Sequence, residues 1–451
     1  MAGAPSEATA APKRKLGLAM CIALVVGNMI GSGVFLLPAD LAPLGWNSVY
    51  AWLVTIGGTL CLCVALSRVA GTMGDSCGAF SYPSAAFGQG VGFLVAWSYW
   101  ISVWTANATL AVAAVRNMTV IVPAFGSPGV GAAITIGLIW LFTIINCLGV
   151  RNAGGVQVVT TILKLMPLAG AILIGAWLAR VGGATITPPD AIPVTPAAIN
   201  TAATLTLFAM LGFESAMMAG DRVENPDRLV PRATLWGTAI TGLIYLLACS
   251  AVGMLLPADQ VHASSSPFAL FFSTLVDPRL GALVALFAAI AALGALNGFV
   301  LLQGELPLAL ARCGLLPRWF ARQSRYETPV RAHILSSALA TALVLATYSR
   351  GLAGLFQFMV LVTTSTSIIF YFVGALSGMK LAREGRIRSS PAYLIIAGAG
   401  ALYSIWAFYG AGLEATLWSL GMTLAGLPIY LIMRSSRAAA AYRDAPPVSA
   451  A

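Results

Sequence analysis

Charge is what this sequence has least of. Lys, Arg, Asp and Glu together make up 9% of its 451 residues, against 59% hydrophobic residues and a mean hydropathy of +0.87. A soluble chain of this length would need far more charge to cover its surface. Histidine is nearly absent: only His262 and His333 occur. No zinc or haem constellation can be assembled from them, and no metal or cofactor is expected. The seven cysteines, Cys21, Cys61, Cys63, Cys77, Cys147, Cys249 and Cys313, are scattered. All seven read as small core residues, with neither a disulfide framework nor a metal site. A membrane-embedded enzyme would need His, Asp or Cys clustered near a membrane face, and no such cluster exists. A channel would need a ring-forming charge or a filter motif, and neither occurs. The opening residues "MAGAPSEATAAPKRK" have no small-residue cleavage site behind a short apolar core, so the first apolar run is expected to be retained.

What the chain has instead is a series of long apolar runs from Leu16 to Met433. Their continuity excludes a β-barrel, whose strands alternate, and predicts an all-α polytopic membrane protein. Runs of ~20 or more residues fall at 16–42, 47–70, 86–115, 129–150, 156–179, 198–221, 233–256, 279–312, 331–349, 353–379, 391–410 and 413–434, giving about twelve spans. Residues 1–15 read as an N-terminal tail, 16–434 as the membrane domain and 435–451 as a C-terminal tail expected to be disordered. If both termini are cytoplasmic, about twenty Lys and Arg residues fall on the inner side. Only Arg116, Arg180, Arg279 and Arg350 then fall on the outer side. That bias predicts this orientation. It also accounts for the net charge of +10 without invoking nucleic acid; the expected partners are the lipid bilayer and a small-molecule substrate.

Two spans contain breaks. The first reads "GNMIGSGVFLLPADL", with Gly31, Ser32 and Gly33 near its middle and Pro38 beyond. The sixth reads "TLTLFAMLGFESAMMAG", with Gly212 followed by Glu214. Glycine-broken spans five helices apart point to an inverted-repeat transporter. Residues 16–180 and 198–380 are then the two repeats, and 391–434 holds two appended helices. Unwinding a membrane helix frees backbone groups that lipid cannot satisfy, so such breaks persist where they line a cavity. The freed N–H groups, with the positive end of a half-helix behind them, suit a carboxylate. A close helix–helix contact through small residues is the competing reading of the first break.

The chain resembles the amino acid–polyamine–organocation superfamily, and within it the basic amino acid/polyamine antiporters of the arginine/agmatine type. The resemblance is carried in family order by "GNMIGSGVFLLPADLA", "YWISVWTAN", "TLFAMLGFESA", "VENPDRLVPRAT", "GLLPRWFAR" and "SIWAFYGAGLEA", over nearly the whole chain. It implies a LeuT-like five-plus-five inverted repeat of twelve helices. It further implies alternating access around a midplane site, in a bacterial inner membrane, with arginine and agmatine as the exchanged pair. Relatives include homodimers, but no dimer face is legible in this sequence. By the resemblance, the backbone at Ile30, Gly31, Ser32 and Gly33 holds the substrate carboxylate. Asn107, Phe208, Leu211, Gly212, Phe299 and Thr363 complete the substrate site, and Tyr99, Glu214 and Tyr371 form a gate.

Two departures stand out. Phe208 and Phe299 occupy positions where the arginine/agmatine antiporter has tryptophan. A phenyl face attracts a cation less than indole does, and would stack equally well on an apolar side chain. The second departure is Lys164, in "TTILKLMPLAG", deep in the fifth span, where a charge is costly. Proton-coupled and heteromeric members of the superfamily carry a similar lysine. A fixed internal cation and a proton carrier both remain open. The reading that follows is an amino acid/amine exchanger; the alternative is a proton-coupled symporter or exchanger of neutral amino acids.

Overall fold

The computed structural model describes residues 17–31, 33–72, 81–149, 153–181, 192–218, 223–388 and 390–443. Among these the chain is helical and contains no strand. The first span is a pair, α1 (Leu18–Met29) and α2 (Gly33–Leu41), with the axis bent by 48° between them. It is followed by α3 (Trp46–Thr72), a short α4 (Ser81–Phe87), α5 (Gln89–Met118), α6 (Pro128–Cys147) and α7 (Ala153–Val181). The sixth span is again a pair, α8 (Pro196–Met210) and α9 (Ser215–Met218). Then come α10 (Pro226–Leu255), two short helices α11 (Ala258–Ala263) and α12 (Pro267–Leu275) absent from the sequence reading, and α13 (Pro278–Arg312). The rest of the bundle is α14 (Val330–Thr347), α15 (Gly351–Arg383), α16 (Pro391–Gly410), α17 (Gly412–Leu424) and α18 (Gly426–Arg443).

Nine of these stretches are long and apolar enough to cross a membrane, ten with the bent α1–α2 pair. One of the nine, Val330–Arg383, has 54 residues. As a continuous helix it would be about 80 Å long, far beyond a ~30 Å bilayer core. It is two spans, divided where Gly351 takes a φ of +71°. The remaining span is α5, less apolar because protein surrounds nearly all of it: Ser98, Ser102, Thr105, Asn107 and Thr109 are all buried. The total is the twelve that the sequence predicts. Lipid-facing positions are apolar in the expected way, with Ile395, Leu402, Tyr409 and Leu413 all strongly exposed on α16 and α17.

Local chemistry fixes where helices start. Pro stands in the first turn of α8, α13 and α16, where its missing N–H costs nothing. Just before them, Thr195 accepts from the Ala198 N–H, Asp277 from the Arg279 N–H and Ser390 from the Tyr393 N–H. The hydroxyl run Thr364, Ser365, Thr366 and Ser367 in α15 stays helical inside the bundle because each side chain donates to a carbonyl four residues back. The central helix α5 packs most extensively on α13 and α15.

Two expectations are corrected. Cys21, Cys61, Cys63, Cys147 and Cys249 are free thiols, but Cys313 is disulfide-bonded, so the cysteines are not all isolated core residues. The segment after residue 434 is helical as far as Arg443 instead of disordered from its start. Its run "AAAAYR" is rich in alanine, the best helix former.

Candidate functional site

The two breaks touch. α1 closes with the Ile30 N–H donating to Val26 O at 2.9 Å, and the Gly31 N–H then folds back to Met29 O at 2.7 Å. With those amides engaged, the donor end at the first break is the opening turn of α2, at Gly33. On the other side, α8 ends at Leu211, which is extended, and Gly212 takes a φ of +100°. A Cβ on Gly212 would lie 3.0 Å from the Asn28 carbonyl oxygen and 3.3 Å from the Met29 nitrogen. Only glycine combines that backbone angle with that approach.

Between the breaks is a small cavity of about 30 Å³. Of the predicted substrate residues, Gly31, Gly33, Phe208, Leu211 and Phe299 line it. Phe208 rests on Gly33: a Cβ there would be 2.7 Å from the ring's Cε1. Phe299 stands opposite on α13 and is half-buried. Ala106, Leu110 and Ala295 also form the wall; small apolar residues in an apolar span gave no signal that would single them out. Ile30 is buried beneath the break, and Ser32 lies outside the described residues.

Asn107 and Thr363 are drawn into contacts between helices. Asn107 Nδ2 donates to Gln303 Oε1 on α13 at 2.7 Å. Thr363 on α15 donates to Thr105 Oγ1 at 2.9 Å and lies 3.4 Å from Thr109 Oγ1. Gln303 is fully buried; a lone glutamine in an apolar helix gave no signal that would single it out.

The three residues assigned to the gate come together. Tyr99 of α5 donates to Glu214 Oε1 at 2.7 Å, and Tyr371 of α15 donates to Oε2 at 3.1 Å. The Gly212 N–H also donates to Oε2, at 3.2 Å. One buried carboxylate thus ties α5 and α15 to the break in the sixth span, and satisfies an amide that the break frees. Phe213 adds a ring contact on Tyr371, with centroids 4.9 Å apart.

Lys164 is buried, and its Nζ donates to Gly27 O at 3.1 Å. An uninterrupted helix would offer that carbonyl the Gly31 N–H, which has instead turned to Met29. Tyr245 of α10 adds a second donor to the Met29 carbonyl, at 2.7 Å. The ammonium therefore sits at the negative end of α1, where a cation is favoured. No cluster of potential metal ligands occurs among the described residues.

A membrane bundle whose first and sixth spans break against each other around a cavity has the architecture of an alternating-access transporter. The amino acid permease family model matches residues 16–433, and the chain belongs to that family. It is a transporter and not an enzyme. It is 29% identical over 423 residues to the putrescine transporter PotE of Escherichia coli (strain K12), covering 93% of this chain and 96% of that one. Identity to PotE of Haemophilus influenzae is 30% over 424 residues, covering 93% and 97%. Identity to the cadaverine/lysine antiporter of Escherichia coli (strain K12) is 30% over 337 residues, 74% of each chain.

Proposed function

We propose that the chain is a secondary exchanger that takes up a basic amino acid against the amine left by its decarboxylation. Relatives named for putrescine and for cadaverine and lysine support a substrate with one or more amines; the sequence resemblance adds arginine and agmatine. The observation that carries the reading is the cavity where the two breaks meet. Its Phe208 and Phe299 faces can receive a cation, and the first turn of α2 can receive a carboxylate. Substrate binding by Ile30, Ser32, Asn107 and Thr363 belongs to the same proposal, with Thr363 leaving its bond to Thr105.

The basic-residue distribution supports an inner-membrane protein with both termini cytoplasmic, and the two glycine-broken spans support five-plus-five repeats at 16–180 and 198–380. In that orientation Tyr99, in the cytoplasmic half of α5, would join Glu214 and Tyr371 in closing the cytoplasmic side. The second reading, proton-coupled transport of neutral amino acids, is favoured by Lys164 and by the phenyl walls.

The test is uptake of labelled arginine and lysine into proteoliposomes preloaded with agmatine, cadaverine, putrescine, alanine or nothing, at acidic and neutral pH. Uptake that depends on an internal basic amine is expected. Uptake of alanine alone, driven by an inward proton gradient, would overturn the exchanger reading.

A further inference from the structure

A buried chain of hydrogen bonds ends at Asn107, and its direction is fixed at the far end. Thr143 of α6 donates its hydroxyl hydrogen to the Ile139 carbonyl at 2.7 Å. A hydroxyl has one hydrogen to give. Ser337 of α14, 2.6 Å from Thr143 Oγ1, must therefore be the donor in that pair. With its own hydrogen spent, Ser337 Oγ can only accept, and it accepts from Gln303 Nε2 at 2.8 Å. The same Nε2 also donates toward the His333 carbonyl at 3.4 Å, and a carbonyl can never donate. Gln303 must then present its oxygen to Asn107, and Asn107 must meet it with its NH2. Every hydrogen in the chain points away from Asn107. What remains is the Asn107 Oδ1: an acceptor, fully buried, with no hydrogen-bond partner.

This orphan acceptor lies close to the cavity. Asn107 is one helical turn before Leu110, and Gln303 one turn after Phe299; Leu110 and Phe299 both line the cavity wall. A buried acceptor without a donor is destabilising until something donates to it.

We infer that Gln303 is a positioning residue that locks the Asn107 amide with its oxygen available, so that the site selects a substrate whose side chain ends in an N–H donor: an ammonium or a guanidinium. This rests on the proposed exchange of basic substrates and supplies a reason for its selectivity that does not depend on the phenyl walls. A lysine side chain would satisfy Oδ1, whereas a substrate of the same length ending in a methyl group would leave it unpaired.

The experiment measures lysine transport in proteoliposomes, and its inhibition by lysine and by norleucine, which has lysine's carbon chain without the terminal amine. The proteins are the parent, Gln303→Met, Ser337→Ala and the double variant Gln303→Met/Asn107→Asp. In Gln303→Met the Asn107 amide is free to turn. The KM for lysine should rise about tenfold, the loss of one hydrogen bond to a charged group, while kcat and norleucine inhibition change little. Ser337→Ala, a milder change, should shift lysine in the same direction by a smaller factor. A carboxylate at position 107 presents an oxygen in either orientation, so the double variant should recover most of the lysine affinity. Equal shifts for lysine and norleucine, no shift, or no recovery in the double variant would make Gln303 a helix contact only. The parent protein reports separately on the proposed function. If it shows no preference for lysine over norleucine, the basic-substrate reading fails, whatever the variants do.

Discussion

The Lys164 ammonium donates to the carbonyl of Gly27, 3.1 Å away, where the first span has given up its helical partner. That single bond predicts how replacements will behave. Lys164→Met leaves the Gly27 carbonyl buried and unsatisfied, and should cost about 1–3 kcal/mol, read as a lower unfolding temperature in detergent. Lys164→Gln keeps a donor without the charge. It should retain most of the stability and an exchange rate whose pH dependence matches the parent. A pH dependence abolished in Lys164→Gln would instead make this residue the proton carrier.

The first break contains two glycines with opposite expectations. A Cβ at Gly31 would meet only Leu110 and Ala295, at 3.8 and 3.9 Å, an ordinary contact. Gly31→Ala should fold normally and weaken substrate binding, because its methyl group occupies the cavity. A Cβ at Gly33 would lie 2.7 Å from the Phe208 ring. Gly33→Ala must displace that ring, and should lower stability by about 1–3 kcal/mol as an overpacked site. Unfolding temperature and KM, measured together, separate the two.

The Glu214 carboxylate offers a graded test. Tyr99→Phe removes a 2.7 Å bond and Tyr371→Phe a 3.1 Å bond. Both bonds join α5 or α15 to the sixth-span break, so both variants should favour opening of the gate. The shorter bond should matter more. The measurement is the labelling rate of a cysteine introduced at Phe213, compared in the two backgrounds; equal rates in parent and variants would show that the carboxylate only braces the helices.

Phe299→Trp tests the cation wall. Phe299 is half-buried and lines the cavity, whereas Phe208 is pressed on Gly33, so the larger ring is placed at 299. The stronger face should tighten a cationic substrate by about 0.5–1 kcal/mol, a severalfold fall in KM, and leave a neutral amino acid unchanged.

Much of the fold was legible because a bilayer imposes its own length on every apolar run. The two breaks were legible because Gly31, Gly33 and Gly212 recur in spans five helices apart. The contact between the breaks was not, since nothing in the residues around Gly212 reveals that Asn28 is its neighbour. Glu214, Tyr99 and Tyr371 were assigned to one gate by resemblance, and the bonds among them are what the structure adds. Gln303 was hidden for a different reason. A glutamine in an apolar helix looks like any polar residue with a partner, and its importance comes from Ser337 and Thr143, on two other helices. Cys313 was misread because nothing in the residues around it signals a disulfide.

The seat of Gly212 against Asn28 and Met29 is made entirely of main chain. A joint of that kind has no side chain that mutation can adjust by degrees: it is kept or it is lost. The residues that shape the cavity wall, Ala106, Leu110, Phe208, Ala295 and Phe299, lie beside the joint and act through their side chains. Drift or design can therefore change what the chain carries while the moving parts stay as they are. A library confined to those five wall positions should yield altered substrate preference far more often than loss of folding.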